Sequence, residues 1–217
     1  MIEEQKLNFD FEARYFKIGN LESAKQIWFV LHGYGQLAGY FIRKFSQLEK
    51  ENICVIAPEG LSKFYLEDIP TRAAGGSNRV GATWMTRENR EADIQNYISY
   101  LNSVYEKEIG SKKIKTTLLG FSQGSATVTR WVLDRKVQFD RLILWAGIFP
   151  PDMDFQKGHD LLVHKEVIEV LGKSDPLITK EKVLEFKKLS KALNIEPKLV
   201  EFDGGHDIDS TTLASLI

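Results

Sequence analysis

Short apolar segments that end at glycine or proline alternate with longer segments of helical periodicity along most of the chain. "QIWFVLHGYG", "ICVIAP" and "IKTTLLG" are continuous apolar runs, as in strands that are buried on both faces of a sheet. Between them, apolar residues recur every three or four positions, for example over 88–110. Strands that alternate with helices of this length indicate parallel βαβ crossovers. The sequence therefore predicts an α/β fold with a doubly wound, mostly parallel sheet flanked by helices.

The pattern can be divided into individual elements. The predicted strands are 9–18, 27–31, 53–58, 114–120, 139–147, 165–172 and a short one within 198–206. The predicted helices are 39–50, 88–110, 122–135, 179–193 and 210–217. Residues 58–87 mix glycine, proline, polar and isolated aromatic residues without a dominant period. We expect a long irregular loop there, and loops of this kind are often functional.

Composition restricts the class of protein. A chain of 217 residues with 43% hydrophobic and 27% charged residues is expected to form one domain over 1–217 with a packed core. Its 29 basic and 30 acidic residues leave a formal charge of −1, which provides no field to attract nucleic acid or an anionic membrane. The single Cys54 excludes an intramolecular disulfide and a thiolate zinc cage, and it is expected to be a small buried hydrophobe.

Targeting signals are not visible in the sequence. The first residues, "MIEEQKLNFDFEARYF", do not combine a basic region with a following apolar region, as a signal peptide would. No apolar stretch approaches the roughly 20 residues that a membrane-spanning helix needs. We therefore expect a cytoplasmic protein without stable membrane insertion.

The segment "GFSQG" at 120–124 is the first candidate for chemistry. It matches G-x-S-x-G, in which a nucleophilic serine stands at a sharp turn from a strand into a helix. Glycines let the helix start pass close to the strand, and the helix N-terminus directs N–H groups at developing negative charge. The pattern arises by chance in roughly one chain in fourteen of this length. The strand before it and the helix after it favour Ser122 as a nucleophile over an ordinary glycine-rich bend.

A serine nucleophile needs a base, and the sequence offers four histidines. His206 follows the last predicted strand behind two glycines, which suit a sharp loop over the carboxyl edge of the sheet. His159 and His164 precede the strand at 165–171 and are expected at the opposite end of the sheet. His32 is expected to be a structural hydrogen-bonding residue. His206 is therefore the predicted base.

The base needs an acid that orients its ring. Asp175 comes just beyond the strand at 165–171, where the carboxyl edge of the sheet is expected. The alternative for Asp175 is a cap on the helix that begins shortly after it. Asp203 and Asp207 are closer to His206 in sequence, but Asp203 ends the short strand and Asp207 is expected to face outward or cap the last helix. Asp175 is therefore the predicted acid.

The chain order Ser122, Asp175, His206 is the nucleophile–acid–base order of α/β-hydrolases. Acyl transfer also requires two N–H donors about 3 Å from the developing oxyanion. One is expected from the backbone of Gln123, directly after the serine. The second is expected from the loop after the first buried strand, with Tyr34 as the candidate. Only the backbone N–H of Gln123, and not its side chain, is expected to matter.

These segments resemble the carboxylesterase/phospholipase family that includes the acyl-protein thioesterases, within the α/β-hydrolase superfamily. "LHGYG", "GFSQG", "GKSDP" and "GGHDI" occur in the family's order and at family-like distances over residues 25–210. Trp84 and the following "READIQNYISYL" also look like the family's tryptophan and helix. The resemblance implies a catalytic triad and two backbone oxyanion donors at Ser122, Asp175, His206, Tyr34 and Gln123. Ser125 stands where the family often has another glycine, and residues 60–87 match no family pattern.

The predicted activity is hydrolysis of a small-molecule carboxylic ester or thioester through an acyl-enzyme, without a metal or an organic cofactor. Several apolar side chains are candidates for an acyl pocket, with ordinary core packing as the alternative for each. They are Phe64, Tyr65, Leu66, Trp84, Met85, Ile148 and Phe149.

Two other functions stay open at this point. The same triad can act on peptides or lactones, or the chain can be a binding protein that has lost catalysis on a hydrolase fold. The intact serine, aspartate and histidine argue against the second. The sequence also leaves open whether apolar surface near the site contacts substrate or a second copy of the chain in a homodimer.

Overall fold

The computed structural model describes residues 1–217 and contains nine strands. They are β1 (Tyr15–Ile18), β2 (Gln26–Leu31), β3 (Ile53–Pro58), β4 (Ser62–Tyr65), β5 (Val80–Thr83), β6 (Lys115–Phe121), β7 (Arg141–Trp145), β8 (Glu166–Gly172) and β9 (Lys198–Phe202). Seven of them form one sheet in the order β1-β3-β2-β6-β7-β8-β9, and β4 pairs with β5 in a separate antiparallel hairpin. All neighbours in the large sheet are parallel except β1, which runs antiparallel to β3. The predicted mostly parallel sheet is confirmed.

Helices connect these strands. They are α1 (Ala38–Phe41), a 3-10 helix (Ile42–Glu51), α2 (Ile69–Ala73), α3 (Arg90–Glu108), α4 (Gln123–Leu133), α5 (Phe155–Leu162), α6 (Lys180–Ala192) and α7 (Ser210–Ser215). Hydroxyl or carboxylate side chains cap several of their N-termini, as when Thr179 accepts a hydrogen bond from the N–H of Lys182 at the start of α6. None of the helices combines the length and apolar character needed to cross a bilayer.

Both faces of the sheet are covered by apolar side chains. Successive residues of a strand point to opposite faces, so Phe29 packs edge-on against Trp131 of α4 while its neighbour Trp28 lies in the core on the other side. Trp145 packs on this second side against Phe202, with ring centroids 5.8 Å apart. Burial on two faces explains why β2, β3 and β7 read as continuous apolar runs rather than as alternating ones.

The structure differs from the predicted elements in three places. The first strand covers only Tyr15–Ile18, because residues 9–12 at the start of the predicted strand are exposed and pair with no other strand. Most of the helix predicted at 39–50 is a 3-10 helix that buries one apolar face. The predicted irregular loop at 58–87 is wrong, since it contains β4, α2 and β5.

A further element, α5, was not predicted at all. Its segment "FQKGHDLL" begins at an Asp154 cap and buries Gly158 and Leu162. A glycine and a short length hide its helical period in the sequence. The α5 segment leads into β8, so the element does not change the predicted order of the parallel strands.

The parallel arrangement determines where chemistry can occur. The carboxyl ends of β2, β6, β8 and β9 lie at one edge of the sheet, and the loops that leave them meet there. The predicted triad residues and the two predicted oxyanion donors follow these four strands.

Candidate active site

Ser122 occupies a strained turn between β6 and α4. Its backbone has φ 54° and ψ −115°, a combination that non-glycine residues rarely adopt. The turn is held from β7, because the N–H of Ser122 donates to the carbonyl of Trp145 over 2.8 Å. A hydrogen bond from the N–H of Ser125 to the carbonyl of Ser122, at 3.0 Å, closes the turn on the helix side. The serine is thus fixed at the end of the strand in a conformation that the surrounding backbone maintains.

The two glycines that flank Ser122 are required by close backbone contacts. A Cβ on Gly120 would lie 2.2 Å from the carbonyl oxygen of Gly124, and a Cβ on Gly124 would lie 2.3 Å from that of Leu31. Neither neighbour is a flexible side chain, so any larger residue would push the helix away from the sheet. Gly147, after β7, has the same function from the other side, since its Cβ would lie 2.5 Å from the carbonyl oxygen of Ser122. Sequence reasoning missed Gly147, and the only signal was a glycine as the last residue of the strand predicted at 139–147.

Asp175 and His206 meet in front of this turn. Asp175 follows β8 and His206 follows β9, and the His206 Nδ1 lies 2.6 Å from the Asp175 Oδ2. The Asp175 side chain is fully buried, and its other oxygen accepts the N–H of Leu177 at 2.8 Å. A backbone hydrogen bond of 2.9 Å from Ser174 to the carbonyl of Gly204 joins the two loops. The carboxylate is therefore held by two donors.

The His206 ring lies beside the residue that precedes Ser122. It packs on the ring of Phe121, the residue before the serine, with centroids 4.8 Å apart. The hydroxyl of Ser122 makes no hydrogen bond with the ring in this structure. Catalytic hydrogen bonds are often long before substrate binds.

The alternative acidic residues lie elsewhere. The Asp203 carboxylate is exposed and pairs with Lys173 Nζ at 2.8 Å, while the Asp207 carboxylate pairs with Lys44 Nζ at 2.6 Å. Only the carbonyl of Asp207 has a structural contact in the core, where it accepts the indole N–H of Trp145. Neither carboxylate contacts the His206 ring. His159 also lies apart from this site, since its Nδ1 is 2.9 Å from the carbonyl oxygen of Leu193.

The loop after β2 leaves the backbone N–H of Tyr34 free. Gly33 N–H donates to the Gln36 side chain at 2.9 Å, Gly35 N–H to the carbonyl of Ala82 at 2.8 Å, and Gln36 N–H back to Gly33. The N–H of Tyr34 donates to no protein acceptor. The N–H of Gln123 is also unused by the helix, because the first residue of a helix has no carbonyl one turn earlier. Both proposed oxyanion donors are thus available.

His32, at the base of this loop, is a buried structural residue. Its Nε2 accepts the N–H of Gly60 at 2.9 Å, and its Nδ1 lies 2.8 Å from the carbonyl of Gly33. Burial lowers the pKa of His32 from 6.5 to about 4, despite the opposing hydrogen bond to Gly33. The ring is therefore neutral at neutral pH, and it carries its proton on Nδ1.

Comparison with known proteins identifies the family. The sequence profile of the family described as Serine hydrolase (FSH1) matches residues 22–213. The chain belongs to this serine hydrolase family. The match extends over the loops that follow β2, β6, β8 and β9. No curated protein sequence matches the serine hydrolase significantly.

Solved structures share the fold of this serine hydrolase. A carboxylesterase from Mesorhizobium loti superposes with a TM-score of 0.70 at 16% identity, covering 97% of both chains. Zea mays acyl-protein thioesterase 2 superposes with a TM-score of 0.68 at 16% identity, covering 94% of this chain and 96% of the other. A putative dienelactone hydrolase from Klebsiella pneumoniae superposes with a TM-score of 0.59 at 16% identity, covering 92% of this chain and 84% of the other. The predicted α/β-hydrolase fold is confirmed.

The predicted acyl-pocket residues of the serine hydrolase fall into two groups. Trp84 and Phe149 are 1% and 0% exposed, so both belong to the core. This corrects the prediction that they line an acyl pocket. Trp84 donates its indole N–H to the carbonyl of His32 at 2.8 Å, and Phe149 stacks on Phe186. The remaining candidates are accessible in part or in full. They are Phe64, Tyr65, Leu66, Met85 and Ile148.

Among the accessible residues, Phe64 is in direct contact with the loop after β2, which contains Tyr34. Its ring lies 5.0 Å from that of Tyr34, centroid to centroid. Leu66 approaches the same loop at Gly35. The hairpin thus brings apolar side chains to the edge of the candidate site.

Sequence reasoning expected the side chain of Gln123 to have no role, and the structure corrects this expectation. The Gln123 amide lies within 3.2 Å of Thr83 Oγ1, the N–H of Trp84 and the carbonyl of Met85. Residues 83–85 are forty positions away in sequence, so no local pattern reveals the contact. The glutamine of "GFSQG" therefore anchors the end of β5 to the start of α4.

Proposed function

We propose that this serine hydrolase cleaves carboxylic esters or thioesters through an acyl-enzyme on Ser122. The observation that carries the proposal is the 2.6 Å hydrogen bond between His206 Nδ1 and Asp175, on a ring that packs against Phe121, the residue before a serine held at φ 54°. The buried carboxylate fixes the tautomer with the proton on Nδ1, which leaves Nε2 free to accept a proton. We also propose that the whole chain forms one hydrolase domain, because the seven-stranded sheet extends from β1 to β9.

The first half of the reaction transfers the acyl group to the protein. Ser122 Oγ attacks the acyl carbon while His206 Nε2 takes the hydroxyl proton, and Asp175 stabilises the imidazolium that forms. The carbonyl oxygen becomes an oxyanion that accepts hydrogen bonds from the N–H groups of Tyr34 and Gln123. The bond to the alkoxide or thiolate then breaks, and His206 protonates this leaving group.

The second half regenerates the protein. Water gives a proton to His206 and attacks the ester carbon of the acyl-serine, again through an oxyanion between the same two N–H groups. Collapse of this intermediate releases the carboxylic acid, and His206 returns the proton to Ser122 Oγ. Every proton transfer in the cycle passes through one imidazole nitrogen.

A substrate panel tests this proposal. Purified protein is assayed with p-nitrophenyl acetate, a longer p-nitrophenyl ester, an acyl thioester, a lactone and a peptide amide. We expect turnover of the esters and the thioester, and its loss on Ser122→Ala. Peptide or lactone hydrolysis without esterase activity would identify the other substrate classes for the same triad. Binding of these compounds without turnover would indicate a non-catalytic protein.

A further inference from the structure

The side-chain amide of Gln123 is fully used in contacts with the segment that follows β5. Its Nε2 is 3.0 Å from Thr83 Oγ1 and 3.0 Å from the carbonyl oxygen of Met85, which accounts for both of its hydrogens. Its Oε1 accepts the N–H of Trp84 at 3.2 Å. A primary amide is the one side-chain group that offers two donors and an acceptor at a single end. Residues 83–85 therefore present acceptors and a donor that match a primary amide at the length of a glutamine side chain.

The contact continues to the oxyanion loop through Trp84. The Trp84 indole donates to the carbonyl of His32 at 2.8 Å, and its ring lies 5.0 Å from the His32 ring. Trp84 is buried, so this connection is rigid. His32 is two residues before Tyr34, whose N–H is free. An unbroken series of hydrogen bonds thus joins the start of α4 to the loop after β2.

We propose that the Gln123 side chain is a positioning residue, which through Trp84 and His32 fixes the spacing between the backbone N–H groups of Gln123 and Tyr34. The inference rests on the proposed function, in which these two groups stabilise the oxyanion. Such donors are effective when they are already in place as charge develops. Loss of the connection leaves the serine, the base and the acid intact, and it loosens only the site that binds the transition state.

Gln123→Glu and Gln123→Met separate this role from packing. Both side chains are similar to glutamine in length, but methionine has no donor and an ionised glutamate places an oxygen against the carbonyl of Met85. We expect kcat for p-nitrophenyl acetate to fall by about 10- to 100-fold in both, with KM changed by less than about threefold. Thermal unfolding of each variant, followed by circular dichroism, shows whether the fold is retained.

The pH profile of Gln123→Glu provides a readout that a purely structural role does not move. A protonated glutamate can donate to the carbonyl of Met85 and still accept the N–H of Trp84. The ratio of its kcat to that of the wild type should therefore rise as the pH falls from about 7 toward 4.5, since an unperturbed Glu has a pKa of about 4.3 and the adjacent carbonyl of Met85 disfavours the charged form. The ratio for Gln123→Met should stay flat.

Thr83 supplies an independent pair of variants that leaves Gln123 in place. Thr83→Ser keeps the hydroxyl that Gln123 contacts and should retain kcat, whereas Thr83→Val removes it and should lower kcat with little change in KM. The inference would be overturned if folded Gln123→Met and Thr83→Val kept the wild-type kcat. It would also be overturned if the variants raised KM and left kcat unchanged. Inactive wild-type protein would instead overturn the proposed function, and this inference with it.

Discussion

The turn at Ser122 and the β4–β5 hairpin are neighbours in space, but their positions are maintained in different ways. The turn is held by backbone packed on backbone, with contacts at Gly120, Gly124 and Gly147 that leave no space for a Cβ. Strand β4 exposes most of its side chains, and the hairpin is attached through the buried strand β5. There Gly35 donates to the carbonyl of Ala82, and a Cβ on Gly81 would lie 2.5 Å from the carbonyl oxygen of Gly35. The comparison separates the turn, whose geometry is imposed by sterics, from the exposed β4 side of the hairpin, which can vary in composition.

This difference has a functional meaning under the proposed mechanism. Bond breaking requires reacting groups placed to within a fraction of an ångström, so the rigid turn is where the chemistry belongs. Recognition of an acyl group tolerates more variation, and the apolar side chains of Phe64, Tyr65 and Leu66 stand on the hairpin. Substitutions in the two regions should therefore have effects of different size and kind.

The largest expected effect is on catalysis, from a substitution next to the turn at Ser122. Asp175→Asn should lower kcat/KM for an ester by about 10⁴-fold, because the amide favours the wrong histidine tautomer. Asp203→Asn and Asp207→Asn are matched controls whose carboxylates pair with surface lysines, and they should stay within about threefold of wild type. Steady-state assays check all three. If Asp203→Asn were the crippling change, the acid assignment would be wrong.

The next effect is on stability and contrasts two glycines. Gly124→Ala should destabilise the protein by about 3 kcal/mol or more, because the new Cβ meets the Leu31 carbonyl in the core of the turn. Gly75, in the hairpin loop, faces open space, so Gly75→Ala should cost only the backbone strain of an alanine at a φ of 89°, about 1 kcal/mol. Urea denaturation measures both. Equal costs would show that the turn is less constrained than its packing indicates.

A third effect tests the buried His32 beneath the oxyanion loop. Its folded pKa of about 4 lies below the unfolded value of 6.5, so the unfolded chain binds more protons between these pH values. Stability from this residue should thus be present above pH 6.5 and be lost as the pH falls toward 4, by up to about 3 kcal/mol.

Urea unfolding at several pH values measures this loss. His32→Asn should be less stable at neutral pH and should have a flatter pH dependence. His164→Gln, a control at an exposed position, should keep the wild-type dependence. An unchanged slope in His32→Asn would assign the acid sensitivity to other groups.

The smallest expected effect is on the hairpin surface. Ile69 in α2 is 72% exposed, so Ile69→Ser should change the free energy of unfolding by less than about 0.5 kcal/mol. Turnover of a short ester should also be unchanged, because this side chain lies outside the loops that hold Tyr34, Ser122, Asp175 and His206. Parallel urea and kinetic measurements check this, and a loss of more than about 2 kcal/mol would remove the distinction between the two regions.

The sequence was sufficient where a feature is local. Apolar runs and helical periods gave the order of the parallel strands, and "GFSQG" marked a turn whose glycines the structure explains through Gly120 and Gly124. The strand ends also led to Asp175 and His206, which the structure brings within 2.6 Å.

Features that depend on contacts distant in sequence were not predictable in this way. The hairpin strands β4 and β5 pair through backbone groups. Strand β4 is mostly exposed and the buried residues of β5 are Gly81, Ala82 and Thr83, so neither strand has a strong apolar pattern. The burial of Trp84 depends on its hydrogen bond with His32, and that of Phe149 on stacking against Phe186. An aromatic residue in a loop reads the same in sequence whether it lines a pocket or fills the core.

The central claim, that Ser122 is the nucleophile, is tested most directly by covalent labelling. The folded protein is treated with a fluorophosphonate, and the modified residue is located by mass spectrometry of its peptides. Ser122→Ala is the negative control, and Ser125→Ala, in the same turn, controls for nearby hydroxyls. The account predicts one adduct, on Ser122, in the wild type and in Ser125→Ala. An unlabelled folded protein, or an adduct on another residue, would contradict it.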